Sequence, residues 1–102
     1  MKNLLVLALA ACFSASAFAA GDAASGQQKS QACAACHGPD GNAPTGPDFP
    51  RLAGQREDYL LKALRGYKDN SRRGYDAQMS EVVYGMNDED FVDLAYFLAR
   101  QK

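Results

Sequence analysis

Two stretches of this chain carry apolar residues at three- and four-residue spacing, the pattern of a helix with one face turned to a core. Between Arg56 and Lys68 the stripe is Tyr59, Leu60, Ala63, Leu64 and Tyr67, with charged side chains between them and Gly66 placed to fray the end. Toward the C-terminus it is Phe91, Leu94, Ala95 and Leu98. Asn87 is positioned to cap that last helix, Asp88, Glu89 and Asp90 complement its N-terminal dipole, and Arg100 and Lys102 suit its other end. A third helix is predicted from an Asp22 cap through Ala23, Ala24, Gln27, Gln28 and Ala32 toward Cys33. Gly26 in its middle is unfavourable by about 1 kcal/mol relative to alanine, so another helix is expected to approach closely there. Residues 38–54 hold Gly38, Gly41, Gly46 and Gly54 with Pro39, Pro44, Pro47 and Pro50, too many turn formers for a long regular element. Phe49 and Leu52 make this a packed loop rather than a free linker. Asp69 to Gly74 reads as a polar turn leading to a short segment that contains Met79. No stretch after residue 20 alternates long enough for a sheet, so the predicted fold is all-α: three main helices, one short extra segment and loops.

The N-terminus changes the picture of where the chain works. Lys2, the apolar run Leu4 to Phe13 and the small residues ending Ala17-Phe18-Ala19 read as a secretory signal over residues 1–19, cleaved at an A-x-A site, with the periplasm as destination. Leu9-Ala10-Ala11-Cys12 also resembles a lipobox, whose lipidated cysteine would anchor the protein to a membrane instead. Residues 20–102 are then one small domain with little room for a large core. The whole chain has a net charge of -1, which makes nucleic acid an unsuitable partner. Charge is uneven: residues 51–73 carry seven basic side chains against three acidic, and 76–102 carry six acidic against two basic. Such asymmetry fits transient, salt-sensitive docking to a charged partner, with Arg72 and Arg73 as the basic candidates, as well as it fits a plain solvated surface.

Cys33-Ala34-Ala35-Cys36-His37 carries the chemistry. Two thiols about one helical turn apart, followed by an imidazole, match covalent c-type haem attachment: both sulfurs reach the vinyl groups of one porphyrin and His37 binds iron. A zinc site would need four Cys or His ligands, but His37 is the only histidine and the third cysteine, Cys12, lies in the leader. A thioredoxin-like dithiol would need a βαβ context that this pattern lacks. One buried haem would also supply the apolar centre that so short a chain lacks, so the apoprotein is expected to fold poorly. With one histidine, the sixth iron ligand is a methionine, a weak ligand or nothing. Met86 stands before the Asn87 cap and five residues before Phe91, the positions of a hydrophobic staple. Met79, between Gln78 and Ser80 in a polar setting with no stripe to explain it, is the expected ligand, with Met86 or an open site as alternatives.

Taken in order, these features resemble the class I c-type cytochromes, the soluble bacterial monohaem kind, and either half of their dihaem periplasmic relatives. The resemblance rests on Gly-x6-Cys-x2-Cys-His-Gly from Gly26 to Gly38, Asp40-Gly41-Asn42, Phe49 through Gln55, and Asn87-x-Glu89-Asp90-x3-Asp93-Leu94-Ala95-Tyr96-Phe97. It implies one haem c held by thioether links at Cys33 and Cys36, with His37 as proximal and Met79 as distal ligand. It further implies that the Pro50 carbonyl, or failing that Pro47, orients His37, and that Gly26 meets Tyr96 or Phe97 where the first and last helices cross. Ser30 departs from the pattern, standing where many relatives place an aromatic residue. The implied function is single-electron transport between a donor complex and an oxidase or reductase, without catalysis. Alternatives are a tethered haem subunit of a larger oxidoreductase and a haem-free thiol oxidoreductase.

Overall fold

The computed structural model of the chain describes residues 21–70 and 77–102, and every described element is helical. The helices are α1 (Ala23–Lys29), α2 (Ala34–His37), α3 (Glu57–Asp69), α4 (Ala77–Val83) and α5 (Asp88–Ala99), with tighter single turns at Ser30–Cys33 and Pro39–Gly41. None of the described helices is long and apolar enough to cross a membrane. The segment read as a leader, with Cys12, and Arg72 and Arg73 of the expected polar turn lie outside the described residues.

Each main helix starts where its sequence says. Asp22 accepts from the Ala24 and Ser25 amides at 2.9 and 3.2 Å, capping α1. Asn87 and Asp90 form a reciprocal capping box at 2.9 Å in both directions, so α5 begins with two otherwise orphaned amides satisfied. Glu57 and Asp58 open α3, and Asn70, in the left-handed conformation at φ 64°, closes it. Gly66 does not fray this helix: it is buried inside it, and α3 runs on to Asp69.

Two elements depart from the sequence expectation. The first helix does not continue intact to Cys33 but tightens at Ser30. The Ser30 hydroxyl donates to the Gln27 carbonyl at 2.7 Å, a back-bond that competes with the helical ladder and bends it. Met79, read from the sequence as lying in a short polar segment with no stripe to explain it, lies within α4, where Met79, Val82 and Val83 fall at helical spacing and Val83 is fully buried.

α5 is the centre of the packing. Leu60 of α3 joins Leu94, Ala95, Phe97 and Leu98 of α5 in the buried cluster, with Leu52, Leu61, Leu64, Met86 and Ala99 packed against it. On the other side α1 crosses α5 so closely that a Cβ on Gly26 would strike the Asp93 carbonyl oxygen and come within 2.6 Å of the Phe97 Cβ. That close approach is what the mid-helix glycine makes possible, and the partner is Phe97, while Tyr96 meets Gly21 instead. Buried Asp93 accepts from the Asp22 amide at 2.9 Å and from Lys29 Nζ at 2.8 Å; Lys29 also reaches Asp90 at 2.8 Å. A polar clamp thus closes one side of the crossing. The loop is tied down from the same helix, since the Gly54 amide donates to the Leu98 carbonyl at 2.9 Å.

Candidate functional site

The site grows from the end of α2. Gly38, at φ 86°, stops this helix and turns the chain back across it. A side chain there would run into the Ala43 backbone. The returning loop then satisfies the helix end: the Ala43 amide donates to the His37 carbonyl at 3.2 Å and the Thr45 amide to the Cys36 carbonyl at 3.0 Å. Further along, the Pro50 carbonyl accepts from His37 Nδ1 at 2.7 Å, the contact the resemblance implied. Phe49 meets the imidazole edge-on at 6.2 Å between ring centres. With Nδ1 carrying the proton, Nε2 of this buried ring is left with a free lone pair.

Cys33 is buried and Cys36 half-buried, and neither is in a disulfide. Burial, reinforced by the neighbouring Cys36, pushes the Cys33 thiol above its ordinary range, so it stays protonated at neutral pH. A redox-active dithiol needs the opposite shift.

Cys33, Cys36 and His37 open onto a cavity of about 280 Å³. Phe49, Pro50 and Leu52 of the loop form one wall and Leu94 and Leu98 of α5 the floor. The α3 stripe, Tyr59, Leu60, Ala63, Leu64 and Tyr67, lines it as well, as do Gln78, Met79 and Val82 of α4. Met79 and His37 therefore line one cavity, together with both thiols. Met86 does not line it and packs on the hydrophobic cluster as a staple residue would.

These residues suit a haem. Two free thiols at the motif spacing, an imidazole held in one tautomer with Nε2 to spare, a soft thioether in the same cavity and largely apolar walls are the donor set and surface that a covalently bound porphyrin requires. Sequence periodicity identified the α3 stripe as apolar but assigned it only to a core. The lining by Asp48, Gln55, Gln78 and Val82 carried no pattern of its own.

Comparison with known proteins identifies the family and the fold. Residues 23–102 match the family model described as Cytochrome c. The chain is 47% identical over its full length to cytochrome c4 of Pseudomonas aeruginosa, covering 50% of that protein. It is 40% identical over 84 residues to cytochrome c-554(548) of Halomonas halodenitrificans, covering 81% of this chain and all of that one. Among solved structures, reduced recombinant cytochrome c4 from Pseudomonas stutzeri superimposes with a TM-score of 0.69 at 42% identity, over 81% of this chain and 47% of that one. The chain spans about half the length of the cytochromes c4 it matches.

Proposed function

This chain belongs to the cytochrome c family, as a class I c-type cytochrome similar to one half of the dihaem cytochromes c4, and from that footing we propose that it is an exported, periplasmic carrier of single electrons whose one haem c is bonded to Cys33 and Cys36 and ligated axially by His37 and Met79. Family membership supports a covalently held haem and electron transfer rather than catalysis. The observation that carries the finer reading is the convergence of His37, both thiols and Met79 on one apolar cavity.

Bound there, the haem iron supplies a one-electron couple. The chain's own groups set how that couple behaves. Pro50 accepts the Nδ1 proton of His37, fixing the ring's tautomer and making Nε2 the more basic ligand. Met79 offers a soft sulfur, which favours the reduced metal and raises the potential. Were His37 and Met79 both to hold the iron, no position would be left on it for a substrate. Leu60, Leu64, Leu94 and Leu98 keep water from the cavity, so a change of charge inside reorganises few dipoles. Tyr59 and Val82 line the cavity and are also exposed, 47% and 39%, so a redox partner reaches it from their side. The raised Cys33 pKa speaks against the thiol-oxidoreductase alternative.

A visible spectrum of the exported protein, oxidised and reduced, with a pyridine haemochrome, tests cofactor and ligands together. The expected result is a c-type spectrum whose weak long-wavelength ferric sulfur band vanishes in Met79→Ala and survives in Met86→Ala. A haem protein lacking that band would reopen ligand binding at iron. The intact mass of the native N-terminus separates cleavage near Ala19 from lipidation of Cys12, and with it a free carrier from a tethered subunit.

A further inference from the structure

The helix that carries Met79 is fastened to a single turn of α3. Beside Met79, the Ser80 hydroxyl donates to the Tyr67 carbonyl at 3.1 Å. Beyond the end of α4, Lys68 Nζ donates to the carbonyls of Tyr84 at 2.6 Å and Met86 at 2.7 Å, with the ammonium 5.7 Å from the centre of the Tyr84 ring. Tyr67 and Lys68 are neighbours in sequence, so both ties converge on one place. The carbonyls after a helix lack intrahelical partners, and an ammonium with three donors satisfies two of them here. α4 has seven residues, too few to persist as a helix alone, and its principal neighbour among the described elements is α3. Its apolar anchor is the single buried Val83.

We propose that Lys68 and Ser80 are positioning residues for Met79: by fixing α4 on α3 from its middle and from the residues just past its C-terminal end, they set how firmly the Met79 thioether holds its place against a competing ligand. The proposal rests on the reading of Met79 as an axial ligand. Lys68 touches neither cavity nor thioether, and its action is mechanical, through the backbone carbonyls it binds.

The test titrates the full, haem-loaded ferric protein with imidazole and follows loss of the sulfur band. Lys68→Met keeps the aliphatic length and removes the donors. It should raise the apparent imidazole affinity roughly tenfold, equivalent to about 1.4 kcal/mol of lost positioning. Ser80→Ala should raise it by a smaller factor, and Ser80→Thr, which keeps a hydroxyl, should restore the parent value. Arg100→Met removes an exposed cation bonded to Glu57 and to the Tyr96 carbonyl, away from α4, and should leave the affinity unchanged. Should Lys68→Met fail to fold, Ser80→Ala against Ser80→Thr decides the question alone. Unaltered affinity in Lys68→Met and Ser80→Ala, with the band present in the parent, overturns the proposal, as does an equal rise in Arg100→Met. A parent protein without the band overturns instead the ligation reading beneath it.

Discussion

At Gly26 a missing methyl group decides how near α1 comes to α5. Alanine is the better helix former by about 1 kcal/mol, so propensity alone favours replacing the glycine. Packing opposes it, because the new Cβ would collide with the Asp93 carbonyl oxygen and the Phe97 Cβ, both fixed in the interior of α5. Collisions with backbone cannot relax by a rotamer change, and overpacking of this kind costs roughly 1–3 kcal/mol. Gly26→Ala should therefore be net destabilising, seen as a lower urea midpoint at unchanged slope. The same closeness explains how Ser30 is accommodated: the crossing is tightened by Gly26, and the small Ser30 side chain is buried and spends its hydroxyl on its own helix.

Between elements, the clamp on the α1–α5 crossing makes stability depend on pH in a definite direction. Burial pushes the Asp93 carboxyl up, but the Lys29 ammonium and the Asp22 amide outweigh it and hold it below the ordinary range; Asp90 is lowered chiefly by Lys29. Unfolded, both carboxylates return to a pKa of about 4, so on the acid side the unfolded chain binds more protons than the folded one. Their contribution is present above that value and is lost as pH falls through the lower folded pKa. Lys29 is shifted upward, so its share is lost only in strong alkali and leaves the acid limb untouched. Asp93→Asn should flatten the fall in melting temperature below about pH 4 and cost about 2 kcal/mol at neutral pH. Elements differed in how openly the sequence announced them. The start of α5 was legible because capping is chemistry between near neighbours, Asn87 and Asp90. α4 was less so, because its three large apolar residues in seven serve two different surfaces, Met79 and Val82 lining the cavity while Val83 enters the interior. The break at Ser30 was not legible, because it depends on one hydroxyl choosing a backbone partner.

Across the whole molecule, core and cavity share side chains: Leu60, Leu94 and Leu98 belong to both. The motif at Cys33–His37 was readable because its spacing is set by the porphyrin, whereas the identity of the cavity walls was not, since apolar periodicity does not say whether its partner is protein or cofactor. Emptying the cavity would expose the faces that hold α3 to α5. A Cys33→Ala/Cys36→Ala protein purified without haem should therefore keep part of its helical far-ultraviolet signal but melt without a cooperative transition, while the haem-loaded parent melts sharply. A sharp transition in the haem-free protein would show that the helices support one another unaided. The loop that folds back over α2 carries a consequence for the order of assembly. His37 meets its orienting carbonyl thirteen residues away, whereas Met79 lies about three times as far along the chain, a closure dearer by roughly 1 kcal/mol in entropy. With Met79 as the proposed second ligand, the imidazole side is expected to be the local structure that forms early and outlasts partial unfolding, and the sulfur side the late and reversible step, the latch that comes undone first.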